Sequence, residues 1–255
     1  MRPASGPPFR AEHIGSLIRP PELLRARQQH AAGQTDRDGL AAIENEAIRH
    51  VVKLQEDLGL QVVTDGEFRR GTYSDSFTSA GISGVKIEMT EDRGWTRSQS
   101  HGHRMARRIP TIVGRIAWNG PQNAADFRFL KSLTTRTPKI TLPGPCYIHY
   151  RAGRANISRE AYPDLDAFWS DLVAAYIQEM RSLAEAGCSY LQIDETSLVK
   201  LGDRVVADVG LPARVLAAAD VDADMHPRGR AVEHRIDDLD VAVQEVAPIV
   251  AALEQ

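Results

Sequence analysis

Twice along the chain an amphipathic helix runs into a glycine and then into a short strand that ends on acidic residues. In the first instance Leu40, Ile43, Ala47, Val51, Leu54 and Leu58 recur at steps of three and four, which predicts one apolar helical stripe. Gly59 follows as a left-handed stop. Leu60-Gln61-Val62-Val63-Thr64-Asp65 then reads as a buried parallel strand. In the second instance the stripe is Leu165, Phe168, Leu172, Tyr176, Met180 and Leu183. Ala186-Gly187 is the stop, and Tyr190-Leu191-Gln192-Ile193-Asp194-Glu195 is the strand. A helix feeding a buried strand is half of a βαβ unit, so the repetition predicts a parallel α/β fold.

The rest of the chain fits that frame. Residues 1–10 form a loose arm, residues 20–60 are helical, and residues 84–89 alternate as a half-exposed strand. Residues 109–114 start another strand in which Pro110 argues against a central position. Lys139-Ile140-Thr141-Leu142 is a strand that enters the turn Pro143-Gly144-Pro145. Leu239, Val243, Val246, Val250 and Leu253 predict a last amphipathic helix. The 255 residues fit one barrel-type domain spanning 1–255, since a (β/α)8 barrel takes about 250. A net charge of −3 gives no case for a nucleic-acid partner. No apolar run reaches the ~18 residues of a membrane span. The opening MRPASGPPFR lacks the apolar core of a signal peptide, and two cysteines suit a reducing compartment, so the expected location is the cytoplasm.

Polar residues gather where the strands end: His13-Ile14-Gly15-Ser16, Thr64-Asp65-Gly66-Glu67 and Gln192-Ile193-Asp194-Glu195. In a β/α barrel the C-terminal strand ends converge on one mouth, where active sites lie. Carboxylates there can hold an ammonium group, take up a proton or bind a metal. Gly15 and Gly66 let backbone approach a ligand. The same acidic residues could instead cap the helices that follow or bond to turn amides.

Ala11-Glu12-His13-Ile14-Gly15-Ser16-Leu17-Ile18-Arg19-Pro20 resembles the opening motif of the catalytic domain of cobalamin-independent methionine synthases. Val63-Thr64-Asp65-Gly66-Glu67-Phe68-Arg69-Arg70 resembles that family's second motif, and the stretch from Ala186 to Glu195 its third. The resemblance runs from about residue 9 to residue 203. It implies a TIM-type barrel and methyl transfer from a methyl-folate to a thiol such as homocysteine, with zinc holding the thiolate. It further implies that Ile14 and Ser16 hold the substrate's carboxylate and that Glu67 and Asp194 hold its ammonium group.

The chain departs from the family toward its end. The family takes zinc on a His-x-Cys pair, a Glu and a late Cys, whereas no cysteine follows Asp194 here. The nearest counterpart is His226 or Asp224 in Asp224-Met225-His226-Pro227. His226 is the metal-ligand candidate, while Glu233 and His234 read as solvated surface. Cys188 reads as a small buried hydrophobe, and Cys146 as a loop residue off the ligand positions. About 60 residues follow Glu195, against the ~90 that three further units need, so the barrel falls short by roughly one unit.

Arg93, Arg97, Arg104, Arg107 and Arg108, with His101 and His103, read as a solvated excursion. Arg151 and Arg154 are better anion candidates, and Tyr73, Phe77 and Trp169 read as packing. Two alternatives stay open: a non-catalytic relative that binds an amino acid or folate, and another reaction on the same barrel. The latter is a thiol alkyl transfer or a uroporphyrinogen-decarboxylase-like reaction, which would need Arg19, Arg69, Arg70 and Arg151 clustered at the mouth.

Overall fold

The computed structural model describes residues 12–73, 76–91, 106–150, 153–195, 232–236 and 239–243. Two helices open the described chain, α1 (Pro21–Ala31) and α2 (Arg37–Asp57). They are separate because Asp36 caps α2, its Oδ1 accepting from the Gly39 amide at 2.8 Å. The chain then runs through β1 (Val62–Val63), one π-helical turn at Phe77–Gly81, and the hairpin of β2 (Val85–Glu91) with β3 (Ala106–Ile112). Next come α3 (Ala124–Ser132), β4 (Thr137–Pro138), β5 (Ile140–Pro143), α4 (Cys146–Tyr150) and a 3-10 turn at Gly153–Asn156. The last elements are α5 (Leu165–Glu185), β6 (Tyr190–Asp194), β7 (Val232–Ile236) and β8 (Leu239–Val243).

The strands that follow helices run parallel. β1 pairs with β4, β5 with β6, and β6 with β8, while β7 joins β8 antiparallel. Only Lys139 separates β4 from β5, and its amide donates to the Val63 carbonyl at 2.9 Å. Residues 137–143 therefore form one stretch that faces β1 early and β6 late. The result is a mixed α/β fold with parallel strands. A closed eight-stranded barrel is not seen among the described residues.

Several expectations need correction. Leu239–Val243 is a strand, not the start of a helix, because it pairs with β6 and β7; residues 244–255 lie outside the described ones. The buried face of α2 is also rotated from the apolar stripe. Ile43, Leu54 and Leu58 are 39%, 47% and 70% exposed, whereas Ile48 and Val52 are buried with the polar Glu44 and Gln55. Gln55 is inside because its amide serves the turn after β1: it accepts from Thr64 N and donates to Thr64 O, at 3.0 and 2.8 Å. That takes Thr64 out of the strand, so β1 is shorter than its apolar run. Glu44 is inside because Arg37 and Arg69 pair with it.

Packing follows the pattern elsewhere. Phe168, Leu172 and Leu183 of α5 are fully buried, and Gly187 ends the segment at φ +84°. Phe77 and Trp169 are core residues, and Tyr73 packs against that core. Pro110 sits in the two-stranded β2–β3 ladder opposite Ile87, where no central strand is interrupted. Cys146 begins α4 and is buried, rather than lying in a loop. The excursion at residues 92–105 lies outside the described residues, while Arg107 and Arg108 belong to β3. Among the described residues no helix is long and apolar enough to cross a membrane.

The turn between β5 and α4 depends on Gly144. Its amide donates to the Asp194 carbonyl at 3.0 Å, and a Cβ there would fall against the Glu195 carboxylate and Cα. Gly144→Ala is expected to cost about 1–3 kcal/mol through overpacking, read as a lower urea midpoint with unchanged slope.

Candidate functional site

Because β1, β4–β5 and β6 are parallel, the residues that follow β1 and end β6 emerge on the same edge. The turn after β1 is tightly specified. Thr64 Oγ1 accepts from Gly66 N at 3.2 Å, and Asp65 Oδ1 from Glu67 N at 2.8 Å. Gly66 and Glu67 both take positive φ, +68° and +59°. For glutamate this costs of order 1–3 kcal/mol, strain that surrounding structure must hold in place. Asp65 thus serves its own turn, as the capping alternative anticipates.

Glu67 does something else. It is 4% exposed; Oε1 accepts from Thr141 Oγ1 of β5 at 3.3 Å, and Oε2 has no hydrogen-bond partner. A buried carboxylate oxygen without a donor is costly unless a ligand supplies one.

Asp194 closes β6 nearby. Its Oδ1 accepts from Gln192 Nε2 at 2.5 Å. Burial pushes its carboxyl up to about 6. The Gln192 hydrogen bond works against this, the Glu67 charge adds to it, and Arg70 and Lys139 pull it down. Its folded midpoint lies above the unfolded value of about 3.9, so the folded state takes up the proton more readily. The group therefore adds stability as pH falls through about 6 and costs stability above it. Asp194→Asn is expected to be more favourable to stability, relative to the parent, at pH 8 than at pH 5. Urea melts at both pH values check this; an equal difference at both would refute it.

The segment at residues 12–19 is pinned along β6 and the residue before β5 on one side and to the turn after β1 on the other. On one side Tyr190 OH donates to Glu12, Lys139 Nζ to the His13 carbonyl at 2.6 Å, and Gln192 Nε2 to the Ile14 carbonyl at 3.0 Å. On the other side Leu17 N donates to Gly66 O at 3.1 Å. Arg19 Nη2 donates to the Glu67 and Arg70 carbonyls at 3.2 and 2.8 Å. Between the anchors Ile14, Gly15 and Ser16 are exposed, and Gly15 has open space where a side chain would go. His13 Nε2 is buried without a hydrogen-bond partner. Two neighbouring carboxylates, Glu67 and Asp194, are thus flanked by an open backbone-and-hydroxyl segment.

The arginines do not gather at this edge as free cations. Arg70 spends Nη1 and Nη2 on Thr141 Oγ1 and Thr141 O, at 2.8 and 2.6 Å. Arg69 bonds Asn45 and pairs with Glu44 and Asp126. Arg154, expected as an anion ligand, instead donates to the Ile157 and Tyr162 carbonyls and staples its own loop; Arg151 lies outside the described residues. That weighs against decarboxylase-like chemistry.

Zinc would need a cluster of sulfur, imidazole or carboxylate donors. Among the described residues no three His, Cys, Asp or Glu side chains group to hold a metal. Cys146 and Cys188 are buried thiols. Burial and the adjacent Glu195 raise the pKa of the first far above its usual value, and burial pushes the second up to about 12. His149 is an imidazole buried with neither nitrogen bonded, but its neighbours are the Phe168 and Trp169 rings. These residues do not fit zinc, and His226 lies outside the described ones.

Thr141 and Lys139 escaped sequence reasoning, in which Gln192 counts only as part of a polar strand end. The available signal was a polar residue inside a short apolar strand, as in Lys139-Ile140-Thr141-Leu142 and Tyr190-Leu191-Gln192-Ile193.

These features define an α/β domain whose parallel strands deliver acidic side chains to one edge beneath a pinned N-terminal segment. A family model described as the catalytic domain of cobalamin-independent synthase matches residues 9–250, and the chain belongs to that family. It is 34% identical over 191 residues to the uncharacterized protein YxjH of Bacillus subtilis, covering 74% of this chain and 48% of that protein. It is 30% identical over 189 residues to the 5-methyltetrahydropteroyltriglutamate–homocysteine methyltransferase of Thermotoga maritima, covering 74% of this chain and 24% of the relative. The chain therefore spans about half or less of these relatives. Among solved structures, a putative vitamin-B12 independent methionine synthase from Listeria monocytogenes superimposes with a TM-score of 0.64 at 29% identity, covering 86% of this chain and 63% of that one.

Proposed function

We propose that this edge binds a thiol-bearing amino acid such as homocysteine, and that the chain serves methyl transfer from a methyl-folate to that thiol. Glu67 and Asp194 receive the ammonium group, and Ile14 and Ser16 the carboxylate. The observation that carries the reading is Glu67 Oε2, buried without a donor beside the charge-sensitive Asp194. A bound ammonium supplies the missing donors to both carboxylates. The name of the Thermotoga relative supports the choice of homocysteine and methyl-folate. An eight-stranded barrel and a cytoplasmic location go with this reading.

Calorimetry tests it directly. L-homocysteine is expected to bind, and N-acetyl-L-homocysteine, which lacks the cationic amine, to bind at least about tenfold more weakly. Equal affinities would overturn the reading. The methyl-transfer half is separate, since a free thiol with pKa about 8.5 is mostly protonated at pH 7 and zinc would supply its activation. Stoichiometric zinc after dialysis, lost in His226→Ala, would support methyl transfer. Zinc-free protein that still binds homocysteine would make this chain a binding module.

A further inference from the structure

Lys139 is a fully buried lysine beside the candidate site. Its ammonium donates to the His13 carbonyl at 2.6 Å and to Gln192 Oε1 at 2.8 Å, lies 3.7 Å from Glu12 Oε2, and sits 5.5 Å from the centre of the Tyr190 ring. Gln192 passes the arrangement on. With Oε1 held by Lys139, its Nε2 donates to both the Ile14 carbonyl at 3.0 Å and Asp194 Oδ1 at 2.5 Å. The lysine fixes the flip of the amide, because an ammonium can only donate and so selects the oxygen. One amide thereby sets the distance between the open Ile14–Gly15–Ser16 backbone and the Asp194 carboxylate.

We infer that Lys139 and Gln192 are positioning residues that lock the carboxylate-receiving segment to the ammonium-receiving carboxylate, so that the site reads the two charged ends of an α-amino acid as a unit. This rests on the amino-acid-binding reading above. A buried charge with satisfied partners is a poor source of stability compared with an apolar side chain of similar size. Its contribution here is geometry: the segment at 12–14 has its backbone acceptors held by side chains from β5's preceding residue and from β6.

The test compares L-homocysteine with 3-aminopropane-1-thiol, which keeps amine and thiol but lacks the carboxylate. The parent chain is expected to prefer the amino acid by about tenfold or more in calorimetric Kd. In Lys139→Met that preference is expected to collapse to within about twofold: both affinities fall, because Lys139 also pulls the Asp194 carboxyl down, but homocysteine, which needs both ends of the site in register, falls further than the amine analogue. Gln192→Glu provides a second variant, because its carboxylate keeps a partner for Lys139 while it can donate to neither Ile14 nor Asp194. It too is expected to lose the preference. A generally loosened protein would lose affinity for both probes alike, which would overturn the inference. So would retention of the parental preference in a folded Lys139→Met or Gln192→Glu chain. If the parent shows no preference, or its homocysteine affinity ignores Glu67→Gln, the amino-acid reading fails first and the inference with it.

Discussion

Glu179→Leu is expected to lower the stability of the chain by about 3–5 kcal/mol, a large share of the 5–15 kcal/mol typical of a domain. Glu179 is fully buried in the middle of α5 and accepts from Trp118 Nε1 at 2.8 Å, from Asn123 N and Nδ2 at 2.9 Å each, and from Gln122 N at 3.2 Å. Asn123 is the N-cap of α3, yet its side chain caps nothing. Glu179 instead reaches from another helix to the amides of Gln122 and Asn123, which lead into the first turn of α3. Leucine would leave these donors buried without acceptors. Glu179→Gln keeps the shape but turns an amide NH2 toward donors, so an intermediate loss is expected. Urea denaturation of the three chains gives the order; a leucine variant as stable as the parent would show that the donors find other acceptors.

That carboxylate also marks where sequence reading stops. The stripe on α5 was legible because Phe168, Leu172 and Leu183 recur at helical spacing and are all buried. Glu179 lies among them on the same face, and periodicity treats it as polar and outward. The same blindness rotated the expected face of α2, where Glu44 is inside for its bonds to Arg37 and Arg69 and Gln55 for its bonds to Thr64. Helical periodicity carries no signal for such polar pairings. The strands at 140–143 and 190–194 were legible because short, near-continuous apolar runs suit buried parallel strands. At 239–243 alternating apolar residues fit a helix and a strand equally over so short a window, and pairing with β6 decided for the strand. At the candidate site the strand-end residues Glu67 and Asp194 could be named from their positions. The pinning of Ile14 by Gln192 could not, because it depends on two segments 178 residues apart meeting at one amide.

Glu67→Gln is expected to weaken homocysteine binding tenfold to a hundredfold while leaving stability equal or raised. A charge-assisted hydrogen bond contributes about 1.5–3 kcal/mol, which sets that range. Folding should not suffer, since Oε2 makes no hydrogen bond to lose and removing a buried charge removes its desolvation cost. The variant should also act on its neighbour. Burial is the main reason that Asp194 sits near 6, but the Glu67 charge adds to the shift. In Glu67→Gln the Asp194 midpoint is therefore expected to fall, which a carboxyl-carbon NMR titration would follow. If the two carboxylates share one cation as proposed, their variants should not add independently. Once Glu67 is neutral, Asp194 is more readily ionised and holds the ammonium alone. The double variant with Asp194→Asn should then lose nearly all affinity at pH 7.5, and parental binding should weaken as pH drops through about 6, where Asp194 takes up its proton. Lowered stability with unchanged homocysteine affinity in Glu67→Gln would place both carboxylates in the architecture of the strand ends rather than in a binding site.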